Sequence, residues 1–226
     1  MAASLIKTFR KLQNLFTRPK SELDLFLRDA SGVIHIGANT GQERDLYERH
    51  GLDVVWVEPI PNVYAELRRN IAQFKRQEAF RYILTDRDGD DIKFNIANNN
   101  GASSSIFEIG GHKEIWPEIH YTGTIDIKST TFKTFVATEN INLDTYDALV
   151  MDTQGAELMV LKGAGDLLKS FRFIKTEAAD FEAYVGCCQV EDLSNYLSDF
   201  GFREVIREPF AQKAKGGQYY EILYKR

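Results

Sequence analysis

The chain has 226 residues, 43% hydrophobic and 27% charged, with a formal net charge of −5. Those proportions exclude a disordered, collagenous or fibrous protein, and the length suits one large domain with a well-buried core. No unbroken apolar run exceeds four residues, as in Val54 to Val57, whereas a membrane-spanning helix needs roughly 20. The N-terminus has no signal-peptide pattern, and the adjacent Cys187 and Cys188 suit a reducing compartment better than a disulfide framework, so the expected location is cytoplasmic.

Charge is distributed unevenly. Lys7, Arg10, Lys11, Arg18 and Lys20 give residues 1–20 a charge of +5 and leave −10 for the rest, an acidic body that argues against nucleic-acid binding. Leu5, Phe9, Leu12 and Phe16 recur at helical spacing, so residues 1–30 are expected to form a basic amphipathic helical arm. Its favoured role is packing on its own domain or on a second subunit; weak peripheral contact with a membrane surface is the other reading.

From Val33 onward, strand-like and helix-like segments alternate. Val33–Ile36 ends at Gly37 and precedes a helix-compatible stretch from Gln42 to His50. Asp53–Val57 is β-branched and aromatic, and Val63, Leu67, Ile71 and Phe74 continue at helical spacing. A third strand is predicted over Phe80–Leu84, before the turn Asp86-Arg87-Asp88-Gly89-Asp90. Asp147–Asp152 and Phe173–Ala178 read as strands, Ala156–Leu161 and Val190–Phe200 as helices, and Phe202–Ile206 and Tyr219–Tyr224 as closing strands. The alternation predicts an α/β fold over residues 31–226: a Rossmann-like, mostly parallel sheet with an antiparallel closing strand and helices on both faces. Residues 95–140 break the rhythm and are expected to be an irregular insertion over the cleft, with Asn98–Ser105 too polar for the core.

In open α/β sheets, ligands sit beyond the carboxyl ends of the strands. The loop Gly37-Ala38-Asn39-Thr40-Gly41 follows the first strand and opens a helix, which lets the backbone approach a ligand. Glu58 lies 21 residues after Gly37, at the end of the second strand, where a carboxylate can accept both hydroxyls of a ribose. Nicotinamide enzymes and methyltransferases that use S-adenosylmethionine share this pairing. The dinucleotide fingerprint needs glycine at position 39, and Asn39 would crowd a pyrophosphate, so the methyltransferase reading is favoured over a nicotinamide oxidoreductase. A non-catalytic module that keeps the cofactor pocket is a further alternative.

The motifs HIGANTGQ (35–42), VEPIP (57–61), LTDRDGDDIKF (84–94), NNNGASSSIF (98–107) and MDTQGAELMVLKGA (151–164) resemble those of the FkbM-type methyltransferases, over residues 32–207. The resemblance implies methyl transfer from S-adenosylmethionine to a hydroxyl of a sugar, glycan or related metabolite. By position it implies that Gly37, Ala38, Asn39 and Gly41 contact the methionine end of the cofactor and that Glu58, with Pro59 beside it, contacts the ribose. Thr85 and Asp86 fall near the adenine, Ser104 falls in the Asn/Ser-rich loop, and Asp152 with Gln154 forms the cleft floor near the methionine ammonium. Thr131-Phe132-Lys133 stands where relatives often carry Thr-Leu-Asp, which leaves the acceptor class open.

The sulfonium methyl is already activated, so the protein's task is to align an acceptor oxygen, exclude water and supply a base. Candidate bases are His120, Glu177 and Asp152, with His112 also in the insertion; His120 and Glu177 rank level. The Asp86–Asp91 turn lacks the spacing of a calcium loop, so no metal is expected.

Overall fold

The computed structural model describes residues 22–226, so the amphipathic pattern over residues 5–16 lies outside the described residues. The main sheet has seven strands in the order β3-β2-β1-β7-β8-β10-β9. They are β1 (Gly32–Ile36), β2 (Asp53–Val57), β3 (Gln77–Phe80), β7 (Ala148–Met151), β8 (Phe173–Ala179), β9 (Arg203–Gln212) and β10 (Gln218–Lys225). The pairs β1–β2, β1–β7, β2–β3 and β7–β8 are parallel, and β10 runs antiparallel to β8 and β9. This is the expected mostly parallel sheet with an antiparallel closing strand.

Alternation along the strands builds two core layers. Ile34, Ile36, Val55, Val57, Leu149 and Met151 face α4 (Phe132–Thr138), α5 (Glu157–Ala164) and α6 (Val190–Ser198). Val33, Val54, Trp56, Ala148 and Val150 face α1 (Arg44–His50) and α2 (Pro61–Ile71) on the other side. Leu23, Phe26 and Leu27, from the 3-10 helix Glu22–Arg28, are buried in this second layer. Proline opens α2, where no intrahelical amide partner is lost, and Gly51 ends α1 at φ 70°.

Two expectations are corrected. The single strand predicted over Phe80–Leu84 is two: β3 ends at Phe80, and β4 (Ile83–Thr85) joins a separate sheet of order β4-β6-β5, with β5 (Asp91–Ala97) and β6 (Tyr121–Thr131). The apolar run carries no mark of the change of sheet, because the residues are apolar on both sides of it. Residues 95–140 are correspondingly more regular than predicted: β6 is an 11-residue strand, α4 follows it, and the short helix α3 (His112–Ile115) precedes it. Nor is Asn98–Ser105 wholly outside the core, since Ser103, Ser104 and Ser105 are buried. Their polarity is satisfied internally: Ser104 Oγ accepts from Ala97 N at 2.9 Å, and Ser105 Oγ donates to the Gln154 carbonyl at 2.8 Å.

The acidic turn after β4 has a structural task. Asp88 accepts from the backbone N–H of Thr131 at 2.6 Å and from the Thr134 hydroxyl at 2.8 Å, tying the turn to the start of α4. No helix among the described residues is long and apolar enough to cross a membrane.

Candidate active site

A cleft of about 810 Å³, including its open mouth, lies at the carboxyl ends of β1, β2 and β7. Gly37, Ala38, Asn39, Glu58, Pro59, Ser104, Asp152 and Gln154 line it, so the first glycine loop, the acid after β2, the serine loop and the Asp-Thr-Gln turn converge as expected. Gly41 lies outside the lining and is buried against α2, where a Cβ would stand 2.7 Å from Leu67 Cδ1. Thr85 and Asp86 are also outside the lining. Thr85 is buried, with its hydroxyl donating to the Arg87 carbonyl at 2.9 Å. The lining instead includes an apolar group, Ile60, Ile83, Leu84, Phe94 and Ile106.

Glu58 is 4% exposed. Its Oε2 accepts from Asn39 N and its Oε1 from Ile60 N, each at 2.9 Å. Burial outweighs these two bonds and pushes its pKa up to about 8. Asn39 is left-handed, with φ 45°. Its side-chain oxygen accepts from Thr40 N at 2.9 Å and from Gln42 Nε2 at 3.2 Å, while its amide donates to the Asn100 carbonyl at 3.2 Å. The side chain therefore occupies the inside of the loop, where a dinucleotide fold keeps glycine for a pyrophosphate.

On the floor of the cleft, Gln154 is left-handed at φ 54° and Gly155 follows at φ 102°. The buried carboxylate of Glu157 holds this turn by accepting from Thr153 N at 2.8 Å, Thr153 Oγ1 at 3.0 Å and Gly155 N at 3.0 Å. Gln154 is thereby aimed, donating to Asp152 Oδ1 and accepting from the Tyr184 hydroxyl at 2.6 Å. Behind Gln154 lies a smaller cavity lined by Glu157, Glu177, Tyr184, Cys187 and Tyr219. Burial raises the pKa of both Asp152 and Glu177; the charges of Glu157, Glu43 and Glu221 raise Asp152 further, and the charge of Asp152 raises Glu177 further. Both cysteines are free, and burial raises their thiol pKa values, which makes them poor nucleophiles.

The two histidines stand apart from the cleft. His120 is exposed, with Nδ1 3.0 Å from the Glu118 carbonyl. His112 is buried among Trp116, Tyr184 and Tyr219, its Nδ1 2.7 Å from the Tyr219 hydroxyl, and burial lowers its pKa to about 4. Sequence reasoning did not single out Glu43, Tyr82, Phe94, Tyr184 or Glu157. Phe94 and Glu157 lie inside the motifs 84–94 and 151–164; Glu43, Tyr82 and Tyr184 reach the site through folds of the chain that no local pattern marks.

A sequence profile described as the methyltransferase FkbM domain matches residues 35–204. A relative named 2-O-methyltransferase NoeI, from Sinorhizobium fredii, is 27% identical over 205 residues, covering 87% of this chain and 79% of that protein. Among solved structures, the METTL16 methyltransferase domain aligns with a TM-score of 0.51 at 11% identity, covering 90% of this chain and 64% of that one. Magnesium protoporphyrin IX methyltransferase from Synechocystis PCC 6803, solved with bound SAM, aligns with a TM-score of 0.42 at 11% identity, covering 86% and 69%. With the motifs gathered around one cleft on this sheet and most of the chain matched, the protein belongs to the FkbM methyltransferase domain family and is a methyltransferase.

Proposed function

We propose that the chain transfers a methyl group from S-adenosylmethionine to a hydroxyl of a sugar, glycan or related metabolite. The observation that carries the cofactor reading is the buried Glu58 at the end of β2, bonded to the glycine loop in a cleft whose lining also includes the apolar Ile60, Ile83, Leu84 and Phe94. A nucleoside suits that chemistry: its ribose hydroxyls donate to Glu58, and its base lies against Ile60, Ile83, Leu84 and Phe94. The left-handed Asn39 with its inturned side chain disfavours the nicotinamide reading. The name of the NoeI relative supports a hydroxyl acceptor.

When bound, S-adenosylmethionine supplies an electrophilic sulfonium methyl. The chain's own residues orient the acceptor and remove its proton. Asp152 lines the cleft, and Gln154 links it to the cavity that holds Glu177. Asp152 takes the hydroxyl proton at a carboxylate oxygen, and burial together with the neighbouring Glu157 and Glu43 sets how readily Asp152 ionises. Exposed His120, outside the cleft lining, is not favoured as the base.

The test is thermal unfolding of the purified chain with saturating S-adenosylmethionine, S-adenosylhomocysteine or NAD, followed by transfer of labelled methyl to a panel of sugars and glycans. Ligand at about 100 times its dissociation constant adds roughly 2.7 kcal/mol, a shift of several degrees. A shift with the two sulfur ligands only, and label in a sugar product, supports the reading. A shift with NAD alone overturns the cofactor, and label in a non-hydroxyl product overturns the acceptor.

A further inference from the structure

We propose that Glu43 binds the ammonium group of the methyl donor's amino-acid portion, and thereby makes the cleft select donors that carry one. This rests on the cofactor reading above and adds a binding residue to it. Glu43 is the residue before α1 and lines the cleft together with Gly37, Asn39 and Asp152. Its side chain is 29% exposed, enough to reach a ligand while shielded from bulk water.

What surrounds Glu43 leaves its charge unanswered. The nearest basic group is the imidazole of His35, with Nδ1 4.0 Å from Glu43 Oε2. That nitrogen is 3.1 Å from the Tyr47 hydroxyl, the ring is stacked on Trp56, and burial drives its pKa down to about 3, so His35 is neutral and supplies no cation. Lys175 acts on Glu43 from further away, and its ammonium is already held by Asp24 at 2.9 Å and Glu221 at 3.6 Å. Among the described residues, Glu43 accepts no hydrogen bond from another side chain; burial raises its pKa, opposed first by a bond from its own backbone, so a cation brought to it would favour its charged form.

Asp152 shares this end of the cleft and repels Glu43, but Asp152 Oδ1 is already engaged by Gln154. Among the described residues, both Glu43 carboxylate oxygens are therefore free of other side-chain donors, whereas Asp152 has one oxygen engaged. The lining also includes the apolar Ile60, Ile83, Leu84 and Phe94, and Glu58 stands at the end of β2, so a nucleoside ligand with its base on those residues and its ribose on Glu58 has Glu43 and Asp152 left for its 5′ substituent. An aliphatic ammonium on that substituent meets two carboxylates with no resident cation between them.

The experiment is calorimetric titration of the full chain and Glu43→Gln with two ligands, S-adenosylhomocysteine and 5′-methylthioadenosine, which has the nucleoside and sulfur but no amino-acid portion. Affinity of the variant for S-adenosylhomocysteine is expected to fall about tenfold or more, while that for 5′-methylthioadenosine changes by less than about twofold. An unchanged affinity for S-adenosylhomocysteine, or an equal fall for both ligands, overturns the assignment; an equal fall marks a structural role. Wild-type protein that binds neither ligand overturns the cofactor reading itself, whereas wild-type binding with an indifferent variant overturns Glu43 alone.

Discussion

The backbone N–H of Asn39 donates to the buried carboxylate of Glu58 at 2.9 Å, so the loop after β1 and the acid after β2 are one unit. That unit carries a pH signature. Glu58 has an ordinary value near 4.5 and is raised to about 8 by burial. Between those values the folded chain holds a proton that the unfolded chain has released. The stability this group contributes is complete below about pH 4.5 and is lost as pH rises through about 8. Ligand-free protein should lose on the order of a few kcal/mol across that window, and Glu58→Gln, which cannot ionise, should lose less. Unfolding midpoints measured in steps from pH 5 to 8.5 on both proteins check this; parallel curves would show that Glu58 is not the titrating group.

Gly37 is required by its own neighbour. It sits at φ 81°, and a Cβ there would lie 1.8 Å from the Asp152 carbonyl oxygen, inside any van der Waals contact. Gly89 has nearly the same φ, 82°, with nothing within 4 Å of its Cβ position. Gly37→Ala should therefore destabilise by more than about 3 kcal/mol or prevent folding, while Gly89→Ala pays only the backbone strain of about 1 kcal/mol. Denaturant titration of the pair separates the clash from the strain. Equal losses would show that β7 can retreat from β1.

This glycine also shows how far the sequence could be read. The Gly37 loop and Glu58 were legible because spacing and strand context locate the carboxyl ends of β1 and β2, and their convergence on one cleft matches the expectation. The reason glycine stands at 37 was not, since it depends on Asp152, brought alongside only when β7 pairs with β1. Burial of Ser103–Ser105 was hidden in the same way: composition marks the stretch as polar, and only the fold supplies Ala97 N and the Gln154 carbonyl as partners. Asp86 looked placed for adenine while Phe80–Leu84 read as one strand; with the chain changing sheets after Phe80, Ile83 and Leu84 line the cleft and Asp86 does not.

Glu157 organises the cleft floor from below. Its carboxylate accepts from Thr153 N, Thr153 Oγ1 and Gly155 N, which keeps Gln154 in its left-handed conformation and aimed at Asp152. Glu157→Ala removes the partner of buried donors and should cost about 2–4 kcal/mol, with a fall in kcat larger than any change in the KM for the methyl donor. Glu157→Gln keeps one acceptor oxygen and should recover part of both. Steady-state kinetics together with unfolding curves check this. A variant that loses stability but keeps full kcat would confine Glu157 to the scaffold.

Asp152 and Glu177 are two carboxylates raised by burial; Glu157 and Glu43 raise Asp152 further, Asp152 raises Glu177 further, and Gln154 restrains Asp152. If Asp152 accepts the acceptor's proton, it must be ionised, so kcat should climb with pH through a value well above that of an ordinary aspartate. The charge of Asp152 is what pushes Glu177 up, so Asp152 ionises first and Glu177 is neutral while it does. Glu177→Gln should therefore leave the acid limb of the kcat profile in place and the plateau within about tenfold. Asp152→Asn should lower kcat by about 10²-fold or more and abolish the limb, with S-adenosylhomocysteine still bound. His120→Ala, altering an exposed side chain outside the cleft lining, should leave the profile in place. A limb that vanishes in His120→Ala and survives in Asp152→Asn would transfer the base to the histidine and require the segment around His120 to move over the cleft during turnover.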